Sequence, residues 1–191
     1  NKKVYELHSS NDHDTPFAQI YWILRDASYD FFKQLYQELM VKPFDRFIPE
    51  SEVTELGLET VKNQLKKGVF EESEGAVIFD GEKYGLHKRV FINSAGLPTY
   101  ETKDVGLSLT KWHDYKFDES IIITANEQAQ YMQVVIKAIE QIETEPALRT
   151  KHLTHGFVKL SGGIKMSSRE GNIVTAFDIL HAAREAGEKS G

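Results

Sequence analysis

From about Glu101 onward, apolar residues recur at helical spacing, then in an unbroken run, then at helical spacing again. Val105, Leu109 and Trp112 fall on one face of a predicted helix, SIIIT (120 to 124) is a continuous apolar strand, and Met132, Val135, Ile139 and Ile142 mark a second helix. A further strand near HLTHGFVKL (152 to 160) and a helix opening at Thr175 complete the series. Apolar strands separated by amphipathic helices predict a parallel α/β sheet covered on both faces, because strands that are apolar throughout have no side to give to water.

The first half has a different rhythm. A helix is predicted from Thr15 to Met40, with Thr15 as cap, Pro16 in the first turn, and Phe17, Ile20, Leu24, Ala27, Phe31, Leu35 and Leu39 recurring at helical spacing. A shorter helix carries Leu58, Val61 and Leu65, with Gly68 as terminator. AVIFD (76 to 80) and KRVFIN (88 to 93), followed by a turn at Ser94 to Gly96 and the segment LPTY, predict a small antiparallel sheet. The acidic run within GVFEESEGAVIFDGEKYG reads as a solvated face, and KAIEQIETEPALRTKH as a helix end and exposed linker.

At 191 residues and 40% hydrophobic content, the chain can bury a core of its own. It contains no cysteine, which excludes a disulfide framework and a thiolate metal site and is in keeping with a reducing compartment. His8 and His13 beside Asp12 and Asp14 lack the helical spacing of metal ligands, so no metal site is assigned. No apolar run approaches the roughly 20 residues of a membrane span, and a cytoplasmic location with no membrane partner is expected. The net charge of −6 argues against nucleic-acid binding by overall charge alone. Because the chain begins with Asn1, a piece of a longer protein is expected, and the piece itself is expected to be monomeric.

The stretch GGIKMSSREGN (162 to 172) follows the last predicted strand, where ligands of open α/β sheets sit. Gly162, Gly163 and Gly171 let backbone amides approach a ligand, Lys165 supplies a cation, and Ser167 and Ser168 supply hydroxyl donors, a set suited to polyphosphate. A Walker loop is excluded, because Ile164 stands where glycine must precede the lysine. A solvated Gly/Ser/Lys turn has the same composition. With few apolar anchors, the loop is expected to be mobile without ligand.

In order as well as composition, KMSS resembles the second signature motif, K-M-S-K-S, of class I aminoacyl-tRNA synthetases. GLPTYETKDVG (96 to 106) closely resembles the Y-x-[TA]-[RK]-D-[IVL] segment of the arginyl enzymes, and MSSREGN their M-S-[ST]-R-x-G. HLTHGFVKL is similar to their H-x-x-x-G-x-V strand. The resemblance runs from Phe17 through the helix at Thr175 and implies the second half of a class I Rossmann-like nucleotide-binding fold with a small α+β insert. On that basis residues 1–98 are expected to form the helical and antiparallel-sheet connecting insert, and 99–191 the C-terminal half of the catalytic domain.

The resemblance also implies the chemistry. The parent enzyme would be an arginine–tRNA ligase that activates L-arginine with ATP and Mg2+ and transfers it to tRNA(Arg), with bound tRNA needed for activation and no tightly bound cofactor. Lys165, with Ser167 and Ser168, would be catalytic. Tyr100, Asp104 and Gln128 would bind arginine, with Asp104 facing the guanidinium. Gly156, Phe157, Val158, Lys165 and Met166 would bind ATP. A lysine aimed at charge that develops on the leaving pyrophosphate raises rate and not only affinity, and about 3 kcal/mol from such a contact corresponds to roughly a hundredfold. A planar guanidinium favours a carboxylate that it can meet in a bidentate fork.

Two departures stand out: Tyr131 occupies a position where histidine is common in the family, and Glu170 one where lysine is common. The first class I motif, H-x-G-H, occurs nowhere in the chain, so the matching half-fold is expected upstream, the anticodon-binding domain downstream, and the isolated piece inactive. Another class I synthetase, or a non-catalytic nucleotide- or RNA-binding module descended from one, are the alternatives.

Overall fold

The computed structural model describes residues 2–156 and 174–190. In chain order the elements are α1 (Lys2–Ser9), α2 (Pro16–Glu38), α3 (Glu50–Leu65), β1 (Glu71–Ser73), β2 (Ala76–Phe79), β3 (Arg89–Ile92), α4 (Tyr100–Tyr115), β4 (Ser120–Ala125), α5 (Ala129–Ile142), α6 (Thr144–Leu148), β5 (Thr150–His155) and α7 (Ala176–Ser190). They divide between two compact units, residues 2–46 with 174–190 and residues 47–156.

In the first unit, α2 opens as its sequence predicts. Thr15 is extended (φ −66°, ψ 148°), its hydroxyl accepts the Ala18 N–H at 3.3 Å, and Pro16 takes the first helical position. The Asp12 carboxylate accepts the N–H groups of Asp14 and Thr15 at 2.9 and 3.1 Å, which fixes the turn ahead of the helix. The apolar stripe is largely exposed: Phe17, Ile20, Leu24, Phe31 and Leu39 are between 43 and 62% exposed, whereas Ala18 is fully buried. Period alone says which residues share a face, not what covers that face. Thr175 and Asp178 cap α7 reciprocally, the Thr175 hydroxyl accepting the Asp178 N–H at 3.1 Å and the carboxylate accepting the Thr175 N–H at 2.8 Å.

The second unit carries the core: Val61, Phe70, Phe79, Phe91, Val105, Leu109, Met132, Val134, Val135, Ala138 and Ile139 form one buried cluster. The predicted antiparallel sheet is present, with Phe79 paired to Arg89 and Ile78 to Val90. It has a third strand that the sequence reading missed. β1 is the acidic stretch Glu71–Ser73, paired Ser73 to Ala76 across a two-residue turn of Glu74 (φ 49°) and Gly75 (φ 77°). Two positive φ values in succession suit the hairpin's twist, and Gly at the second position carries no Cβ penalty. The run is solvated, as read, but it is also a strand.

α3 and α4 meet along their backbones. A Cβ on Gly57 would lie 2.1 Å from the Thr102 carbonyl oxygen, and one on Gly106 would lie 2.1 Å from the Val53 carbonyl oxygen. Only two glycines facing each other allow this separation. β4 and β5 pair in parallel from Ser120 opposite Thr150 to Ala125 opposite His155, joined by a crossover containing α5 and α6. Two expectations are corrected here. The presumed exposed linker folds as α6, with Pro146 and Ala147 buried. The parallel pair is not covered on both faces within this unit, since Ile121, Ile123 and Leu153 are more than half exposed.

Candidate functional site at the carboxyl edge of the parallel pair

β4 and β5 run in the same direction, so the residues that follow them emerge together. The turn Asn126–Gln128 leaves the end of β4 opposite Gly156, which follows His155 at the end of β5. α5 starts at once from that turn, and Tyr131 lies in its first turn, three residues beyond Gln128 and therefore on the same side. The Tyr131 hydroxyl donates a hydrogen bond to Oδ2 of Asp104. This bond brings the opening turns of α4 to the same edge.

α4 is anchored by its cap region. Thr99 donates its N–H to the Phe91 carbonyl at 2.9 Å, and the fully buried Thr102 donates its hydroxyl to the same carbonyl at 2.5 Å. Asp104 falls one turn past Tyr100, in the second turn of the helix. Helical spacing puts the two on one face. Tyr100 is 67% exposed, and the Lys103 ammonium, which also pairs with Glu50 at 2.5 Å, lies 5.0 Å from its ring centroid. Gln128 is exposed.

Asp104 is mostly withdrawn from water, and that burial raises its pKa above the ordinary 3.8; Glu101 and Glu50 push the same way, while the Tyr131 hydrogen bond and Lys111 oppose them. A carboxylate in that state is poised for a cation. Burial, with the adjoining Asp104 carboxylate, holds the Tyr131 phenol far above its usual range, so it remains a donor. Lys111, whose Nζ donates to Ser120 Oγ at 2.6 Å, has its pKa lowered by burial and partly restored by Asp104. Behind Tyr131, the Arg89 guanidinium lies 5.2 Å from its ring centroid and 3.4 Å from Oε1 of the buried Glu101. Arg89 and Glu101 also line a surface cleft of about 440 Å³ with His87, Lys88, Val90 and Thr99.

Asp104, Gln128 and Gly156 therefore share an edge, with Tyr100 one turn from Asp104. Phe157, Val158, Lys165, Met166, Ser167 and Ser168, and the expected mobility of their loop, lie outside the described residues. Sequence reasoning assigned no role to Tyr131, Arg89 or Glu101. The sequence marks Tyr131 only as a departure from the histidine common in the family, and Arg89 and Glu101 meet it through tertiary contacts that its spacing from Gln128 does not reveal. The histidines near the N-terminus are engaged with aromatic groups: His13 stacks on Trp22 at 4.6 Å, and His8 bonds the Tyr21 hydroxyl at 2.8 Å. Among the described residues, no cluster of three or more histidines or carboxylates is arranged to hold a metal ion, and no helix is long and apolar enough to cross a membrane.

Comparison with known proteins identifies the family. An arginine–tRNA ligase of Treponema denticola is 34% identical over 143 residues, covering 74% of this chain and 24% of that protein. One from Porphyromonas gingivalis is 33% identical over 168 residues, covering 87% of this chain and 28% of that protein. The chain thus spans about a quarter of the length of these curated relatives. The crystal structure of arginyl-tRNA synthetase from Plasmodium falciparum superposes with a TM-score of 0.65 at 20% identity, over 82% of this chain and 28% of that one, and so shares the fold. The family profile of tRNA synthetases class I (R), catalytic domain, matches residues 1–190, and the chain belongs to that family.

Proposed function

We propose that this chain forms part of the catalytic domain of an arginine–tRNA ligase and carries the arginine-recognition wall of its active site. The observation that carries the reading is Asp104: a carboxylate largely withdrawn from water, hydrogen-bonded by Tyr131, at the edge shared by Gln128 and Gly156. A polar pocket of this kind rejects substrates lacking the matching cation geometry, because they would leave the carboxylate unsatisfied.

In the proposed reaction the arginine side chain is held by Asp104, Gln128 and Tyr100 while its α-carboxylate attacks the α-phosphorus of ATP and pyrophosphate leaves. Lys165 meets the charge that grows on the leaving group, Ser167 and Ser168 bind its oxygens, and backbone from Gly156 to Val158, with Met166, lies against the adenosine. Magnesium enters with ATP as part of the substrate. A hydroxyl at the 3′ end of tRNA(Arg) then attacks the adenylate carbonyl, forming the ester and releasing AMP. The division into an insert over 1–98 and a catalytic half over 99–191 belongs to the same proposal, as does a cytoplasmic location.

The test is pyrophosphate exchange into ATP by the intact protein carrying this chain, with tRNA present, over a panel of amino acids. Arginine alone should support exchange. Exchange driven equally by lysine, cysteine or leucine, or by none of the panel, would overturn the proposal.

A further inference from the structure

We infer that Tyr131 is a positioning residue for guanidinium recognition, holding the Asp104 carboxylate in place through its hydroxyl while Arg89 and Glu101 hold its ring. This rests on the reading of Asp104 as the arginine-binding carboxylate.

The geometry supports it from three sides. The Tyr131 hydroxyl donates to Oδ2 of Asp104, so the χ2 rotation that would otherwise be broad for a carboxylate is fixed by a partner on a different helix. The Tyr131 ring is fixed in turn, since Arg89 lies over it at 5.2 Å and is itself tied to the buried Glu101 at 3.4 Å. Tyr131 also sits one turn from Gln128, so the residue that orients the carboxylate shares a helical turn with a proposed ligand of the same substrate. One acceptor site of Asp104 is occupied by the phenol, and the rest are left for the substrate cation. A carboxylate has room for both, because its two oxygens offer about four acceptor directions.

The charged and titratable groups facing Asp104 are Glu50 from α3, Glu101 and Lys111 from α4, and Tyr131 from α5, with Arg89 of β3 behind the phenol. Removing the Tyr131 hydroxyl alone should therefore loosen Asp104 and make its ionised form harder to reach, without altering the packing of the ring against Arg89.

The experiment measures arginine-dependent pyrophosphate exchange by the intact protein as wild type, Tyr131→Phe, Asp104→Asn and the double variant, as a function of pH. Tyr131→Phe should raise KM for arginine roughly tenfold or more, the scale of a lost hydrogen bond to a charged group, with kcat and the KM for ATP changed less than about twofold. The acid limb of 1/KM for arginine should move to higher pH. In the Asp104→Asn background the same substitution should have almost no further effect, because a residue acting through another is not additive with it. If Asp104→Asn itself leaves the arginine KM unchanged, the reading of the site fails. If Asp104→Asn weakens arginine while Tyr131→Phe leaves KM and the acid limb unmoved, or multiplies with Asp104→Asn, the positioning role alone is overturned. A fall in thermal stability of Tyr131→Phe with the pH profile unmoved assigns the tyrosine to packing and also overturns it.

Discussion

A carboxyl that burial holds above its ordinary pKa of 3.8 works against the free protein and in favour of a cationic ligand. The folded state of Asp104 binds its proton more tightly than the unfolded state, so its stabilising contribution is full below that ordinary value and is lost as pH rises through the raised one. Asp104→Asn, which carries no charge to desolvate, is therefore expected to melt at higher temperature than wild type at pH 7, with the difference shrinking as pH approaches about 3. Differential scanning calorimetry at the two pH values checks this. In the proposed site arginine meets the ionised carboxylate, so 1/KM should rise with pH through the same window and then level off. At this scale the sequence was informative about identity and less so about partners. Tyr100, Asp104 and Gln128 are marked as candidates by the resemblance of their segments to the family, whereas Arg89 and Glu101 reach Tyr131 only because β3, α4 and α5 converge in the fold.

Among the elements, the position of Asp104 depends on how closely α4 lies against α3. Gly57 and Gly106 bring the two backbones into direct contact, and Gly106 is only two residues from Asp104. Gly106→Ala would put a methyl group 2.1 Å from the Val53 carbonyl oxygen, and because backbone cannot yield as a side chain can, a loss on the order of 3 kcal/mol is expected. Urea unfolding should show it as a lower midpoint at unchanged slope. Phe91→Ala, which empties a fully buried ring site between Phe70 and Phe79, should cost about 3–5 kcal/mol and serves as a comparison from the core. Most elements were legible because periodicity reports shared faces directly: α4, β4 and α5 lie where the pattern put them. β1 was not, because Glu71, Glu72 and Ser73 have no apolar alternation and are held by pairing to β2. Nor was the exposure of the α2 stripe, since an amphipathic helix encodes a face that needs a cover and is silent about its identity.

For the whole molecule, two observations bear on the reading. The parallel pair with its crossover helix gathers Gln128, Gly156 and, through Tyr131, Asp104 at one edge. The family profile of class I (R) catalytic domains matches residues 1–190, which places the chain in that family. The central claim is that the carboxylate at this edge selects the substrate by its guanidinium. Its most direct test is kcat/KM for arginine in pyrophosphate exchange with tRNA present, comparing wild type with Asp104→Asn in the intact protein. Loss of a charge-assisted contact in a desolvated site predicts a fall of roughly a hundredfold or more with the KM for ATP little changed. A kcat/KM for arginine within about twofold of wild type, in a variant that folds normally, would contradict the account.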